Sequence, residues 1–152
     1  MTVTTAEASL RRSDALHEHV QRFIRQSMNA QPETTFDSLA IEIARFQYDT
    51  NPLLARLYNA RQVQIDSVSG SDQLPAVPTD LFRLKRVASH LDQHDRRCFE
   101  TSGTTAHDGQ RGRHPMRTTA TYELSAMSWA PQWLWPDGDD LDFIVLEIGR
   151  AH

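Results

Sequence analysis

Residues 34–58 read TTFDSLAIEIARFQYDTNPLLARLY and carry the strongest secondary-structure signal in the chain. Apolar side chains recur there every three or four residues, the spacing that places them on one face of a helix. They are Phe36, Leu39, Ala40, Ile43 and Phe46, with Ile41, Ala44 and Tyr48 beside them. Thr35 is a typical N-cap residue, and Asp37 suits the first turn. The stretch predicts a helix that is buried on two sides.

A second helix is predicted immediately after the first. Asn51 is a suitable N-cap, and Pro52 suits the first position of a helix because its missing N–H would have no partner there. Residues 53–61 are then expected to be helical. The apolar residues that would anchor this helix are Leu54, Leu57 and Tyr58.

The segments around this helical pair have weaker patterns. Residues 1–12 are expected to form a disordered tail, and Ser13 is a possible cap for a helix that ends near Met28. A short helix is predicted to open at Thr79-Asp80 and to run through Leu84. Residues 118–134 have helical spacing, which Pro131 is expected to break or end.

Two segments predict strands. Residues 97–100 form a short candidate, and residues 141–148, LDFIVLEI, are apolar nearly throughout, as in a sheet covered on both faces. Helices and strands together predict an α/β fold with a few strands of a larger sheet.

Composition restricts the class of protein. The chain has 152 residues, enough for one domain with a sizeable core, and its net charge of −4 argues against a nucleic-acid partner. A single cysteine, Cys98, excludes a disulfide within the chain and fits a reducing compartment. No apolar run approaches the roughly 18 residues of a membrane span, and the N-terminus lacks an apolar signal core. We therefore expect a soluble cytoplasmic protein.

A polar loop, FETSGTTAHDGQRGRHP at residues 99–115, carries groups suited to holding an anion. A glycine lets backbone N–H groups approach an oxyanion, hydroxyls add donors, and arginines bind phosphate oxygens with paired hydrogen bonds. These residues are Gly103, Ser102, Thr104, Thr105, Arg111 and Arg113. Composition alone favours a plain surface loop over an anion site, since serine, glycine and threonine are common in turns.

Three stretches together resemble a known family. TSGTT at 101–105 resembles the phosphate-binding signature of adenylate-forming enzymes, [ST]-[ST]-G-[ST]-[ST]-G followed by a basic residue. More narrowly, residues 36–58, 74–89 and 98–115 look like the corresponding stretches of LuxE-type acyl-protein synthetases, in the same order. The resemblance spans about residues 34 to 138.

The resemblance implies a fold, an activity and a set of site residues. In that family the loop grips ATP while a carboxylate attacks the α-phosphorus, giving acyl-adenylate and pyrophosphate, and the acyl group passes to a protein thiol. The implied cofactors are ATP and Mg²⁺, and the implied partners are a fatty or other carboxylic acid and an acyl-acceptor protein or fatty acid reductase. The implied fold is α/β, with N-terminal helices followed by a few strands and helices of an incomplete adenylate-forming large domain. The implied phosphate-binding residues are Thr101, Ser102, Gly103, Thr104, Thr105, Arg111, Arg113 and His114.

Two features depart from the family pattern. Ala106 stands where the family usually has glycine, and the chain is much shorter than LuxE-type proteins. Residues 13–152 are therefore interpreted as a single truncated N-terminal part of a synthetase domain. Three hypotheses stay open: an ATP-dependent acyl-activating domain, a non-catalytic remnant or interaction module that needs the rest of the synthetase, and a nucleotide-binding protein without acyl chemistry.

Other candidate sites have simpler interpretations. Cys98 is more plausible as a small buried strand residue than as an acyl acceptor. His90 and His94 have the spacing of a helical metal pair, but no third ligand is evident and an exposed polar segment is favoured. His114 is balanced between a phosphate contact and a surface residue. The tryptophans at 129, 133 and 135 are interpreted as a packing surface, with an acyl groove as the alternative.

Overall fold

The structure is a computed structural model, and it describes residues 5–29, 31–101 and 111–134. This part of the chain contains five α-helices and two strands, joined in places by single 3₁₀ turns. The helices are α1 (Thr5–Asn29), α2 (Phe36–Thr50), α3 (Pro52–Ala60), α4 (Asp80–Leu84) and α5 (Ala120–Leu134), and the strands are β1 (Arg97–Glu100) and β2 (Arg113–Met116). The fold is therefore mixed α/β and mostly helical, with a small two-stranded antiparallel sheet.

Both predicted helix caps in the central pair are confirmed. The Thr35 hydroxyl accepts a hydrogen bond from the Ser38 backbone N–H at 3.1 Å, so α2 begins where the sequence predicts. The Asn51 carboxamide oxygen accepts from the backbone N–H groups of Leu53 and Leu54 at 3.0 and 3.3 Å. These contacts satisfy donors that would otherwise be unpaired at the starts of α2 and α3.

The buried core lies around α2 and α3. Its apolar members in the described residues are Leu39, Ile41, Ala44, Phe46, Leu54, Tyr58, Ile65 and Val68. Tyr58 also packs edge to face against Tyr48, with ring centroids 5.8 Å apart. Phe36, which was predicted to share this face, is 66% exposed because it is the first residue of α2 and lies beyond the packed turns.

Helix α1 is longer than the sequence predicts. It begins at Thr5, so the cap predicted at Ser13 is wrong, and the predicted tail is helical from Thr5 onward. Ser13 serves a tertiary contact instead, because its hydroxyl accepts a hydrogen bond from Arg117 at 3.0 Å. The helix packs against both α2 and α5, and this packing stabilises turns that local propensity alone did not predict.

Helix α5 contains Pro131, so the prediction that this proline breaks or ends the helix is wrong. A proline inside a helix removes one backbone hydrogen bond and strains the preceding turn. Helix α5 nevertheless continues to Leu134, and it packs against α1, with Thr121 in its first turn contacting His17 and Gln21.

The two strands form a hairpin, and the polar loop is the segment that connects them. Strand β1 matches its prediction, and it pairs antiparallel with β2, Cys98 opposite Pro115 and Glu100 opposite Arg113. Strand β2 was not predicted. The strand predicted at 141–148 lies outside the described residues. No helix in the described ranges is long and apolar enough to cross a membrane.

Candidate anion site at the hairpin

The structure describes four of the eight predicted phosphate-binding residues. Thr101, Arg111, Arg113 and His114 lie at the base of the hairpin, where the polar loop leaves β1 and enters β2. The other four predicted residues, Ser102, Gly103, Thr104 and Thr105, lie outside the described residues. The described residues therefore show how the two ends of the loop are anchored and which charged side chains surround them.

The loop is anchored by a pair of reciprocal hydrogen bonds. The Thr101 backbone N–H donates to the Gly112 carbonyl at 3.0 Å, and the Gly112 N–H donates to the Thr101 hydroxyl at 2.9 Å. Gly112 is buried, and a Cβ at its position would lie only 3.1 Å from Thr101 Cγ2 and 3.8 Å from Phe82 Cβ. The close approach that joins the two ends of the loop thus depends on a glycine at 112.

The basic residues after the loop have different environments. Arg111 is exposed, and the Arg113 side chain is 68% exposed with Nε 3.6 Å from a Glu100 carboxylate oxygen. The His114 ring packs on Phe82 of α4, with ring centroids 4.5 Å apart. His114 is therefore a packing residue in the described structure, whereas both arginines are accessible to a ligand.

A cavity of about 410 Å³ adjoins this base, between α4, the segment 92–95 and the hairpin. Its lining includes four cationic side chains and two carboxylates. The cations are Arg83, Lys85, Arg86 and Arg113, and the carboxylates are Asp92 and Asp95. A concentration of positive charge in a concave site favours anionic ligands.

Arg86 organises one wall of the cavity. Its guanidinium contacts Asp95 at 2.7 and 2.8 Å, Asp92 at 2.9 Å and the His90 carbonyl at 3.1 Å. The hydrogen bond from Arg86 lowers the pKa of Asp95, and the same bond raises the pKa of Arg86. Arg86 is thus largely committed to structure, which leaves Lys85, Arg111 and Arg113 as the more available cations.

The same hydrogen-bond network accounts for the position of the His90 side chain. Its Nε2 lies 2.8 Å from an Asp95 carboxylate oxygen, and its side chain is only 12% exposed. The prediction of an exposed polar segment around His90 and His94 is therefore wrong at His90, because the His90 ring turns towards Asp95. No group of three or more metal-ligating side chains occurs in the described ranges. The sequence offered no local signal for this network, since its members come together only through the turn from 86 to 95.

Two further predicted features, Cys98 and the tryptophan surface, are also described by the structure. Cys98 is half-buried in β1 and lines the cationic cavity, with Sγ 3.8 Å from the Phe99 carbonyl. Trp129 and Trp133 stack with centroids 6.3 Å apart, and they are 53% and 68% exposed. The third predicted member of this surface, Trp135, lies outside the described residues.

No family model matches the chain, and no match is found among curated proteins or solved structures.

Proposed function

We propose that this protein activates a carboxylic acid with ATP, forming an acyl-adenylate for transfer to a protein thiol, as LuxE-type synthetases do. The supporting observation is the anchored hairpin, in which two hydrogen bonds between Thr101 and Gly112 fix both ends of the Ser/Gly/Thr loop beside a cationic cavity. A loop held at both ends can present several N–H and hydroxyl donors to one anion, and it loses less conformational entropy on binding than a free loop would.

The residues around the loop fit a polyphosphate. Arg111 and Arg113 follow the loop and are exposed, and Lys85 lines the same cavity as Arg113. In the proposed reaction these cations hold phosphate oxygens while an acid carboxylate attacks the α-phosphorus and pyrophosphate leaves. Bound Mg²⁺ would neutralise phosphate charge, with the hydroxyls of Thr104 or Thr105 as candidate ligands. Because the reaction consumes ATP, we place it in the cytoplasm.

The direct test is acid-dependent exchange of labelled pyrophosphate into ATP. We expect exchange with at least one carboxylic acid in a series from short to long chains, and we expect Gly103→Val to abolish it by blocking approach to the loop. The control is Ala60→Val, which introduces the same side chain at an exposed position at the end of α3. An absence of exchange with every acid would refute acyl activation by this chain.

A binding measurement separates ATP binding from the chemistry. Mg-ATP at a hundredfold excess over its dissociation constant should raise the free energy of unfolding by about 2.7 kcal/mol. The rise should disappear in Gly103→Val. A rise without acid-dependent exchange would instead favour a nucleotide-binding protein without acyl chemistry.

The exposed face of α5 supports a second candidate, an interaction module that binds a partner chain. Tyr122, Met127, Trp129, Trp133 and Leu134 are all more than half exposed on this helix. A cluster of large exposed apolar residues is typical of interaction surfaces. A monodisperse, monomeric protein with a cooperative thermal transition and no ATP response would contradict both candidates, whereas self-association reduced by Trp133→Ser would favour the interaction module.

A further inference from the structure

Helix α5 carries an exposed apolar stripe in addition to the side that packs on α1. Its contact with α1 includes Thr121 in its first turn, whereas Tyr122, Trp129 and Trp133 are each more than half exposed. Ala126 is exposed as well. These last four residues follow one another at steps of four, three and four positions, so they lie on one face of the helix. We call them the α5 stripe.

The α5 stripe carries no charge, and Glu123 is the only charged residue of α5. A helix that is apolar on several sides is normally covered on more than one of them. When two identical surfaces meet around a two-fold axis, each side chain lies near its own copy, so charges on the surface would repel one another. An uncharged stripe is free of this penalty and is suited to pairing with a second copy of itself.

The spacing of the α5 stripe also specifies a register. Alternating steps of three and four residues mark the line along which two helices pack, as in a coiled coil. In an antiparallel pair centred between residues 127 and 128, Trp129 of each copy meets Ala126 of the other, and Trp133 meets Tyr122. A large ring then lies against a small side chain, and aromatic rings lie against each other. A parallel pair would place Ala126 against Ala126 and leave a gap there.

Contacts within the chain hold the aromatic rings of the stripe in place. The Tyr122 ring packs on Phe99 of β1, with centroids 5.3 Å apart, and the Trp129 and Trp133 rings stack on each other at 6.3 Å. Side chains that are already ordered lose less conformational entropy when they enter an interface.

We propose that the α5 stripe is the interface of a homodimer in which two α5 helices pack antiparallel around a two-fold axis. The inference names the partner of the interaction module put forward as the second candidate function, and it rests on that candidate. It does not depend on acyl activation.

The available area indicates a reversible dimer. An aromatic side chain buries about 150–250 Å² when it is covered, so the exposed parts of the three rings in two copies supply roughly 700 Å². Stable complexes bury about 1,200–2,000 Å², and weak ones bury less. We therefore expect a dissociation constant between about 1 and 100 µM.

The test is analytical ultracentrifugation of the full chain at concentrations on either side of this dissociation constant. The average mass should rise with concentration from that of one chain to that of two. Ala126→Trp places a second large ring against Trp129 of the other copy, so it should weaken the dimer at least about tenfold. The double variant Ala126→Trp/Trp129→Ala restores a large residue opposite a small one, and it should bind at least about threefold more tightly than Ala126→Trp.

Met127→Trp is the matched control. Met127 is exposed on α5, and adjacent residues of a helix do not share a face, so the same large ring is added outside the stripe. This variant should dimerise as the wild type does. Thermal melting verifies that each variant folds.

Three outcomes would overturn the proposal. One is a chain that stays monomeric throughout the concentration range, and a blue-shifted tryptophan emission in that monomer would assign the stripe to residues 135–152 instead. Another is a dimer that neither Ala126→Trp nor Trp133→Ser weakens, because it would form through a different surface. The third is a dimer that Trp133→Ser weakens and Ala126→Trp does not, which would support the interaction module but contradict this pairing. Pyrophosphate exchange reports on acyl activation separately.

Discussion

The α2–α3 pair and the hairpin with α5 differ in how far they bury their apolar side chains. The buried apolar residues of the described structure all come from 39–68, around α2 and α3. In the described parts of β1, β2 and α5, the apolar side chains are half-buried or exposed. Yet this second region contains the basic residues after the polar loop, the stacked tryptophans and one wall of the cationic cavity.

This contrast separates stability from ligand binding. A densely buried region holds most of the free energy of folding, whereas a region with fewer buried contacts opens at lower cost and can adapt to a ligand. Substitutions in the α2–α3 pair should therefore change the free energy of unfolding strongly. Substitutions around the hairpin should change ligand binding more than stability.

The largest effect is expected from Leu54→Ala. Leu54 is 3% exposed, so its truncation removes buried apolar surface and leaves a cavity, and the free energy of unfolding should fall by about 2–5 kcal/mol. Met127→Ala on α5 is the comparison, because Met127 is 74% exposed and its loss should cost about 0.5 kcal/mol or less. Urea denaturation measures both values. Similar costs for the two variants would mean that α5 is as well packed as α3.

Loss of the buried cap at Asn51 ranks second. The Asn51 side chain caps α3 and also donates to the Ala88 carbonyl at 3.2 Å, and the residue is 3% exposed. Asn51→Ala should lower the free energy of unfolding by about 2 kcal/mol, since cap bonds are lost and a carbonyl loses its partner. The exposed cap of α2 provides the comparison, and Thr35→Ala should cost about 0.5–1 kcal/mol. Equal losses of unfolding free energy in the two variants would show that burial does not increase the stabilisation from the Asn51 cap.

These two caps also show what the sequence could predict. A cap depends on a few consecutive residues, so Thr35, Asn51 and Pro52 locate α2 and α3 without knowledge of the rest of the chain. The long α1 and the intact α5 could not be predicted in the same way. Both are stabilised by their mutual contacts, and those contacts override the signals at Ser13 and Pro131.

The candidate site was predictable where its residues are adjacent in sequence. Arg111, Arg113 and the hydroxyl loop were found because they lie within one short stretch. Strand β2 was missed because RHPM has little strand propensity, and its pairing depends on the register with β1. The contact of His17 with Thr121 was missed because α1 and α5 are distant in sequence.

A smaller effect is expected at the contact between α1 and α5. The pKa of His17 in the folded state is below its ordinary value of 6.5, so the unfolded state binds more protons as the pH falls through about 6.5. The free energy of unfolding should therefore decrease from pH 7.5 to pH 5. In His17→Asn this decrease should be shallower, because the contribution of His17 is lost while that of His90 remains.

Urea denaturation at several pH values measures this slope. His19→Asn on the same helix is the control, since the His19 ring contacts Glu42 of α2 at 2.7 Å, whereas the His17 ring contacts Thr121 of α5. The control should retain the decrease that His17 and His90 cause. An identical slope in wild type and His17→Asn would show that His17 does not lose protonation on folding.

The smallest effect on stability, with the clearest effect on function, is expected for Arg113→Ala. Arg113 is 68% exposed and its contact with Glu100 is 3.6 Å long, so the free energy of unfolding should change by less than about 0.5 kcal/mol. The increase in melting temperature caused by Mg-ATP should nevertheless be reduced, because a charge-assisted phosphate contact is lost. Arg56→Ala on α3 is the control, since Arg56 is also exposed but lies outside the cationic cavity. A loss of stability at Arg113 as large as that at Asn51 would place the hairpin within the folding core, and the contrast between the two regions would no longer hold.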